Sequence, residues 1–427
     1  MEHKAEFIVI EGQRPLFGEV YINGAKNAAL SVISAAVAVN GVCTLENLPH
    51  IEDVDGLVSA IGALGAQCRF IDEHTLEIDG TNIHTHVAAY ESIRKMRASY
   101  YLLGSLLGRF KKAEVALPGG CNFGTRPIDQ HIKGFEALGA TVWVEHGMIK
   151  AYAEKLTGAN IYLDMVSVGA TINIMLAAVQ AEGVTVIENA AKEPHVVDTA
   201  NFLNMLGAKV KGAGTDVIRI TGVSALHGCE YMIIPDQIEA GTYMIAAAIT
   251  KGDVTVRNII PKHMDSLSAK LIEMNCTIEE GDDYIRVIGP EKLMPAHVKT
   301  MAYPGFPTDL QPQITALLSI AGGNCILTET VFDNRFQYVN ELRRLGCNIT
   351  TDNRMAVIEG VAELTGAEVS ATDLRAGAAL VIAGLAAKGH TTIGNIKYID
   401  RGYEDIVLKL GALGASIRRE TVATNLA

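Results

Sequence analysis

The sequence predicts an α/β protein in which six repeats are grouped three and three into two similar globular domains. A short Leu-Gly-Ala string, or a near relative of it, recurs at intervals of about 70 residues. Each interval also contains one helix-forming segment that is apolar on nearly every side. The chain has 427 residues, which is more than one hydrophobic core usually serves. The central residues of the six strings are Gly65, Gly139, Gly207, Asn275, Gly346 and Gly414.

An amphipathic helix, here called the outer helix, leads into each of these strings. Val54, Leu57 and Ile61 have the spacing of a helix with one face on a core and the other in water. The glycine that follows supplies the left-handed residue with which many helices end. Short alternating stretches such as CRFID and TLEIDG come next and predict strands.

The second helix of each repeat, here called the buried helix, has a different pattern. Small and apolar residues surround it on nearly every side, so it should lie inside its domain. A TIM barrel would need βα units of about half this length, and a solenoid would not need an apolar helix in every repeat. The periodicity leaves the strand order open. The six segments are KNAALSVISAAVAVNG, RASYYLLGSLLGRF, SVGATINIMLAAVQAEG, IEAGTYMIAAAITKG, LQPQITALLSIAGG and LRAGAALVIAGLAAKG.

Composition and charge exclude several classes of protein. Apolar residues make up 49% of the chain and charged residues 20%, which is typical of a folded globular protein. The net charge of −12 and the lack of a basic run argue against a nucleic-acid partner. Seven cysteines without CxxC pairs indicate free thiols in a reducing compartment. The charged N-terminus does not resemble a signal peptide, and the apolar stretches are too short to span a bilayer. We therefore expect a cytoplasmic protein without a membrane partner.

Charged residues at the starts of the buried helices suggest an anion-binding function. Lys26 and Arg97 oppose the partial positive charge of a helix N-terminus, and a bound anion would resolve this conflict. The turn Ser167-Val168-Gly169 lies at the equivalent position, the start of the third buried helix. Asp236 and Asp373 have two interpretations, as ordinary N-caps or as functional groups, and the sequence leaves both open.

The segment 117–131 breaks the repeat pattern and predicts a loop. It contains three glycines and two prolines, and Cys121 lies within it near Arg126 and His131. A neighbouring cation lowers the pKa of a thiol toward the range that is useful for proton transfer. The other six cysteines lie in or beside strand and helix patterns, where a small buried hydrophobe is the better interpretation. These facts alone leave a functional and an incidental Cys121 equally open.

Ten short motifs occur in order along essentially the whole chain, at residues 23–28, 96–99, 117–121, 126–129, 167–171, 304–309, 328–332, 334–336, 373–375 and 400–403. With these motifs the chain resembles the UDP-N-acetylglucosamine 1-carboxyvinyltransferases, which are enolpyruvyl transferases. Several motifs in the correct order and spacing are a stronger signal than any one of them alone.

The resemblance implies a fold of two inside-out α/β domains, similar to inverse α/β barrels, with three repeats in each. It places residues 24–234 in an N-terminal domain with a mobile Cys loop at about 117–126. Residues 1–23 and 235–427 would form the C-terminal domain, with the active site in the interdomain cleft. The implied reaction transfers the enolpyruvyl group of phosphoenolpyruvate to the 3′-hydroxyl of UDP-N-acetylglucosamine and releases phosphate, in the first committed step of peptidoglycan synthesis. The partners would be these two small molecules, and neither a metal nor an organic cofactor is implied.

The resemblance also assigns roles to individual residues. Cys121 resembles the general acid that protonates the methylene carbon, and Asp309 resembles the base near the sugar hydroxyl. Asn27 would orient the intermediate. The residues implied for phosphoenolpyruvate are Lys26, Asn27, Cys121, Arg126 and Arg401. Those implied for UDP-N-acetylglucosamine are Arg97, Arg126, Pro127, Ile128, Asp129, Gln130, Ser167, Val168, Gly169, Asp309 and Val331.

Two alternative functions share features with this one. The enolpyruvyl transferase of the shikimate pathway has the same repeat fold but uses no loop cysteine, so Cys121 favours the nucleotide-sugar enzyme. A catalytically silent paralogue that binds a nucleotide sugar should have lost Lys26, Cys121, Asp309 or Arg401, and all four are present. One departure is Met165, where relatives often carry lysine, so a cationic contact from this position is not expected.

Overall fold

The computed structural model describes residues 3–88, 97–117 and 128–424. These residues form two compact units, each with its own hydrophobic core. The N-terminal unit comprises residues 24–88, 97–117 and 128–234, and the C-terminal unit comprises residues 3–23 and 235–424. Each unit contains three sheets and three buried helices, so the six repeats predicted from the sequence are confirmed.

All six sheets have four strands in the same arrangement. The first strand is parallel to the second, and the other neighbours are antiparallel. The sheets of the N-terminal unit are, in spatial order, Glu230–Met232, Val42–Glu46, Thr75–Asp79 and Gln67–Asp72; Val87–Ala88, Lys112–Ala116, Met148–Tyr152 and Thr141–Glu145; and Asn160–Tyr162, Val184–Glu188, Val217–Thr221 and Lys209–Lys211. Those of the C-terminal unit are Phe17–Tyr21, Asp253–Arg257, Tyr284–Ile288 and Thr277–Glu280; Val298–Lys299, Asn324–Thr328, Met355–Glu359 and Asn348–Asp352; and Glu368–Ser370, His390–Gly394, His3–Glu11 and Ser416–Thr424.

Both predicted types of helix are present in every repeat. The buried helices are Lys26–Ala36, Tyr101–Phe110, Val168–Ala178, Gln237–Ile249, Gln311–Leu318 and Leu374–Ala386. The outer helices are Glu52–Ala63, Asp129–Ala137, Pro194–Met205, Asp265–Glu273, Val339–Arg344 and Ile406–Ala412. Shorter helical segments are the α-helix Lys397–Asp400 and the 3₁₀ helices Arg97–Tyr100, Pro261–Met264, Thr308–Leu310 and Phe336–Tyr338. Within the described ranges, every helix is too short or too polar to cross a bilayer.

The three buried helices lie at the centre of each unit. In the C-terminal unit each of them contacts the other two, and in the N-terminal unit Tyr101–Phe110 contacts both of its counterparts. One of these crossings requires a glycine, because a Cβ on Gly104 would lie 2.3 Å from the backbone oxygen of Asn173. Their apolar sequence on all sides follows from this central position.

Strands from distant parts of the chain complete the sheets. The first strand, His3–Glu11, pairs with the last one, Ser416–Thr424. The strand Glu230–Met232 pairs in parallel with Val42–Glu46, near the other end of the N-terminal unit's sequence. The chain therefore begins in the C-terminal unit, passes to the N-terminal unit at residue 24 and returns at residue 235.

Candidate functional site

Lys26 is the first residue of the buried helix Lys26–Ala36, and its side chain is buried there. Its ammonium nitrogen lies 2.6 Å from a carboxylate oxygen of Asp53, which belongs to the outer helix Glu52–Ala63. This carboxylate offsets the unfavourable interaction between the lysine charge and the helix N-terminus. A bound anion, as predicted from the sequence, is therefore not the only way to balance the lysine charge, since the protein supplies a carboxylate of its own.

Replacing Asp53 with asparagine should lower the free energy of unfolding by about 3 kcal/mol, because it removes the negative partner of a buried ammonium. Both side chains of the pair are only 10% exposed, so solvent screens their interaction little. Urea unfolding of the purified variant measures the change. Asp55→Asn is the matched control, because Asp55 lies on the same helix with its side chain 51% exposed and should change stability by less than about 1 kcal/mol. Equal losses in the two variants would contradict the prediction.

Gln130 joins two segments that the resemblance assigned to the UDP-sugar. Ile128 and Asp129 precede it at the start of the outer helix Asp129–Ala137. The buried Gln130 side chain accepts a hydrogen bond from the backbone N–H of Asp164 at 2.9 Å and donates one to the Asp164 carboxylate at 3.1 Å. Because Asp164 lies three residues before Ser167, these bonds hold the start of the outer helix beside the turn that opens the next buried helix.

The turn Ser167-Val168-Gly169 opens the buried helix Val168–Ala178. Ser167 is its N-cap, since the hydroxyl oxygen accepts a hydrogen bond from the backbone N–H of Ala170 at 3.3 Å. The imidazole of His131 packs against the turn, and a Cβ on Gly169 would lie 3.0 Å from its Nε2 atom. From its sequence position His131 was connected only with Cys121, whereas its imidazole lies against this turn.

His131 is buried beside the turn and stays neutral at physiological pH. The side-chain amide of Asn173 donates a hydrogen bond to Nδ1 at 2.9 Å, which assigns the ring proton to Nε2. The Asn173 amide group also donates to the carbonyl of Tyr100 at 2.7 Å and accepts from the N–H of Gly104 at 2.8 Å, so its orientation is fixed. Burial lowers the pKa of His131 to about 4. The imidazole therefore contributes an N–H donor beside the turn but no charge.

Asp309 lies in the 3₁₀ helix Thr308–Leu310, directly before a buried helix. Its two carboxylate oxygens face two arginines, with Oδ1 3.4 Å from Nη2 of Arg335 and Oδ2 3.1 Å from Nη2 of Arg375. The arginine side chains are only 3% and 6% exposed, whereas that of Asp309 is 31% exposed. Two buried cations thus orient a carboxylate that solvent can still reach, an arrangement suited to a positioned acid–base group.

Glu329 fixes the turn that carries Val331. It is fully buried, and one of its carboxylate oxygens accepts hydrogen bonds from the Thr300 hydroxyl at 2.9 Å and the Val331 N–H at 2.7 Å. The other oxygen accepts from the Thr308 hydroxyl at 2.9 Å. Since Thr308 directly precedes Asp309, Glu329 joins the Val331 turn to the Asp309 turn. Glu329 was not among the predicted site residues, although it lies within the motif at 328–332.

Arg375 joins Asp309 to the segment that carries Arg401. Its guanidinium carbon lies 5.5 Å from the ring centre of Tyr403, two residues after Arg401. Burial alone would lower the pKa of Arg375, but the nearby Asp309 carboxylate and Tyr403 hold it above its usual value. The guanidinium therefore stays charged. The Tyr403 hydroxyl also bonds to side chains on the other two buried helices of this unit, those of Thr242 and Gln313.

The structure places the predicted site residues in two sets. In the N-terminal unit these are Lys26, Asn27, Ile128, Asp129, Gln130, Ser167, Val168 and Gly169. In the C-terminal unit they are Asp309, Val331 and Arg401. Arg97 begins the 3₁₀ helix Arg97–Tyr100, whereas Cys121, Arg126 and Pro127 lie outside the described residues. The N-cap interpretation is correct for Asp236 and Asp373, whose carboxylates accept hydrogen bonds from the first N–H groups of their helices.

Of the six described cysteines, Cys43, Cys276, Cys325 and Cys347 are buried, as the sequence predicted, whereas Cys68 and Cys229 are half-buried. Burial raises the thiol pKa of Cys43 and Cys276 to about 12, and that of Cys68 and Cys347 to about 11. It also raises the pKa of Cys229 and Cys325. Thiols with such pKa values remain protonated and unreactive near neutral pH.

Comparisons with known proteins give a consistent family assignment. The model of the EPSP synthase (3-phosphoshikimate 1-carboxyvinyltransferase) family matches residues 10–410. The chain is 57% identical over 416 residues to UDP-N-acetylglucosamine 1-carboxyvinyltransferase 2 of Clostridium acetobutylicum, covering 97% of this chain and 99% of that one. It is 53% identical over 416 residues to UDP-N-acetylglucosamine 1-carboxyvinyltransferase 2 of Bacillus subtilis, covering 97% of both chains.

Solved structures share the fold over almost the full length. The enolpyruvyl transferase NikO from Streptomyces tendae superposes with a TM-score of 0.89 at 26% identity, covering 98% of this chain and 100% of that one. EPSP synthase from Acinetobacter baumannii superposes with a TM-score of 0.76 at 21% identity, covering 97% of this chain and 100% of that one, which shows the fold alone. The predicted inside-out α/β fold is thereby confirmed.

Proposed function

Because the chain belongs to the enolpyruvyl transferase family, we propose that it transfers the enolpyruvyl group of phosphoenolpyruvate to the 3′-hydroxyl of UDP-N-acetylglucosamine. This assignment rests on the 57% and 53% sequence identity, over nearly the full length, to two UDP-N-acetylglucosamine 1-carboxyvinyltransferases. Phosphate is the second product, and the reaction is the first committed step of peptidoglycan synthesis. We place it in the cytoplasm, where a reducing environment suits a chain with seven cysteines.

The reaction is an addition followed by an elimination. In the addition, the sugar hydroxyl loses its proton and its oxygen bonds to C2 of phosphoenolpyruvate, while the methylene carbon C3 gains a proton. In the elimination, the bond between C2 and the phosphate oxygen breaks, C3 loses a proton and the carbon–carbon double bond forms again. The protein must therefore supply one acid, one base, and cations for the phosphate and carboxylate groups.

Asp309 and Cys121 take the proton-transfer roles in this proposal. Asp309 accepts the proton of the sugar hydroxyl, which is supported by a solvent-accessible carboxylate fixed between two buried arginines. Cys121 donates the proton to C3, and this assignment is supported by its motif and by the poor suitability of the six buried or half-buried thiols.

Lys26, Arg126 and Arg401 bind the anionic groups of phosphoenolpyruvate, and Asn27 orients the intermediate. The assignment of Lys26 is supported by its ion pair with Asp53, because this carboxylate fixes the ammonium group before any substrate binds. A preorganised cation loses little conformational entropy on binding and can stabilise negative charge in the transition state. Arginine adds a planar fork that binds a carboxylate or phosphate in two places.

The UDP-sugar binds to the turn Ser167-Val168-Gly169 and to the segment 126–130, together with Arg97 and Val331, and its sugar lies near Asp309. N–H groups at a helix start suit a diphosphate. Gln130 supports the assignment of both segments to one ligand, since its hydrogen bonds to Asp164 hold them together. We also propose that residues 24–234 form one domain and residues 1–23 with 235–427 the other, and that both contribute to one reaction.

The two alternatives are weaker. The solved EPSP synthases are only 21% identical to this chain and support its fold, not the acceptor of the shikimate enzyme. A silent nucleotide-sugar-binding paralogue should have lost Lys26, Cys121, Asp309 or Arg401, and all four are present.

We expect the protein to release phosphate from phosphoenolpyruvate only when UDP-N-acetylglucosamine is present, because the sugar oxygen must add to C2 before the phosphate can leave. A colorimetric phosphate assay with purified protein measures the rate as each substrate is omitted in turn. 3-Phosphoshikimate, offered as the acceptor in place of the nucleotide sugar, is the control for the sister activity. Release with 3-phosphoshikimate alone, or with neither acceptor, would contradict the proposed function.

A further inference from the structure

The third sheet of the N-terminal unit carries three basic side chains on its exposed face. Lys209 and Lys211 lie on the edge strand Lys209–Lys211, and Arg219 lies on the neighbouring strand Val217–Thr221. The register places Lys211 directly opposite Arg219. Because the Cβ atoms of such a pair are about 5 Å apart, the three cations crowd one small area. Among the described residues, none of the three forms an ion pair.

The other repeats show that this pair is unusual. At the position equivalent to Lys211 and Arg219, Arg69 faces Glu77 in the first repeat with a nitrogen–oxygen distance of 3.1 Å. Like charges directly opposite each other destabilise a sheet, whereas opposite charges stabilise it. The third repeat therefore keeps an arrangement that weakens its own sheet. The remaining equivalent pairs carry opposite charges or at most one charge, namely Glu279–Arg286, Trp143–Lys150, Thr350–Val357 and Arg418–Val9.

A groove of about 420 Å³ lies beside these cations. All three basic side chains line it together with Asn204 and Thr221, and its described lining includes no acidic side chain. Glu188 lies on the neighbouring strand Val184–Glu188, two residues beyond the residue opposite Arg219 and on the same face of the sheet. In the described part of the chain it forms no ion pair with Arg219. The volume is that of a small-molecule site. We call the groove and its three cations the basic groove.

Protection of a sheet edge does not explain the basic groove. Lysine on an edge strand often prevents pairing with another chain, but Arg219 lies on an inner strand. At Val210, the middle of the edge strand, the backbone N–H and C=O already bond to the side-chain amide of Asn204 at 2.8 and 2.9 Å. The edge is thus blocked without the lysines, and the same bonds prevent an extended peptide from adding as a further strand there.

We propose that the basic groove binds a small phosphorylated ligand of the diphosphate class. Arg219 can bind phosphate oxygens with its planar fork while the two lysines act as point charges. A bound diphosphate would also relieve the repulsion between Lys211 and Arg219. The protein's net charge of −12 disfavours anions over most of its surface, so a local group of unpaired cations is where such a ligand would concentrate. The proposal uses no residue assigned to the enolpyruvyl transfer and does not depend on it.

The deciding experiment is calorimetric titration of the full chain with inorganic pyrophosphate at low ionic strength, with saturating UDP-N-acetylglucosamine present to occupy the diphosphate site of the proposed function, using wild type and Arg219→Glu. The variant recreates the opposite-charge pair of the first repeat. We expect its affinity for pyrophosphate to fall by about tenfold or more, because the guanidinium group that would bind two phosphate oxygens is lost. We also expect its thermal midpoint to rise, since attraction replaces repulsion. The KM values for both substrates of the transferase reaction should stay unchanged.

Two double variants complement Arg219→Glu, one as a second test of the groove and one as a control. Lys211→Gln with Arg219→Gln removes charge without adding an acid, and it should lose affinity to a similar extent even if Arg219→Glu does not fold. Lys251→Gln with Lys388→Gln is the matched control, because each of these exposed lysines is paired with a glutamate elsewhere on the surface. Unchanged pyrophosphate binding in the groove variants, an equal loss in the control, or no binding by wild type would overturn the proposal.

Discussion

Replacing Cys121 with alanine is expected to lower kcat by about 100-fold or more and to leave the binding of UDP-N-acetylglucosamine close to that of wild type. Alanine cannot donate the proton that the methylene carbon needs, and the pKa of a serine hydroxyl is too high to replace the thiol. Aspartate is an acid, so Cys121→Asp should retain more turnover than Cys121→Ser or Cys121→Ala. Steady-state phosphate release gives kcat, and calorimetric titration with the nucleotide sugar gives the affinity.

The control for this series is Cys68→Ser, which makes the same change as Cys121→Ser but at a half-buried thiol. Burial raises the pKa of Cys68 to about 11, so this thiol should take no part in proton transfer and its variant should keep wild-type kcat. A Cys121→Ala variant as active as wild type would remove the assignment of Cys121 as the acid. Equal losses in both cysteine variants would point to folding instead of proton transfer.

Local sequence patterns were sufficient to predict the outer and buried helices and the number of repeats. Each outer helix ends near a glycine or asparagine such as Gly65 or Asn275, because the left-handed conformation of that residue is a local requirement. The buried helices were equally clear, since a helix surrounded by protein on all sides leaves no polar stripe. Both patterns, the amphipathic one and the apolar one, lie within about 15 consecutive residues and can be recognised from the spacing of side chains alone.

The strand order could not be predicted in this way, because it depends on pairings between distant residues. His3–Glu11 pairs with Ser416–Thr424, and Glu230–Met232 pairs with Val42–Glu46. A strand's own sequence shows which face is buried but does not identify its neighbour. Only the resemblance to a known family supplied the expectation that the chain begins in its second domain.

The partners of the site residues were missed for the same reason. Lys26 was recognised from its unfavourable position at a helix N-terminus, but nothing in the local sequence distinguishes Asp53 from an ordinary acid in the first turn of an outer helix. Nothing in the local sequence distinguishes Arg335 from a solvated surface arginine, yet it is 3% exposed and lies against Asp309. The charge of a residue is local information, whereas the group that neutralises it is set by tertiary packing.

Replacing Asp309 with asparagine should lower kcat by about 100-fold or more and change the KM for UDP-N-acetylglucosamine much less. The amide has nearly the same shape but cannot take the proton of the sugar hydroxyl. Loss of the carboxylate also leaves Arg335 and Arg375 facing a neutral group, so a fall in the free energy of unfolding is expected as well. Initial-rate kinetics and urea unfolding of the same preparation measure the two effects separately.

Asp333→Asn is the control for the charge change, because Asp333 forms an exposed ion pair with Arg354 in the same unit. Its removal should alter neither kcat nor stability by more than a small amount. Arg375→Lys separates positioning from proton transfer, since lysine keeps the charge beside Asp309 but loses the fork, and it should lower kcat less than Asp309→Asn does. If Asp309→Asn raised KM and lowered stability while kcat stayed at the wild-type value, the carboxylate would be a structural partner of the two arginines and not the base.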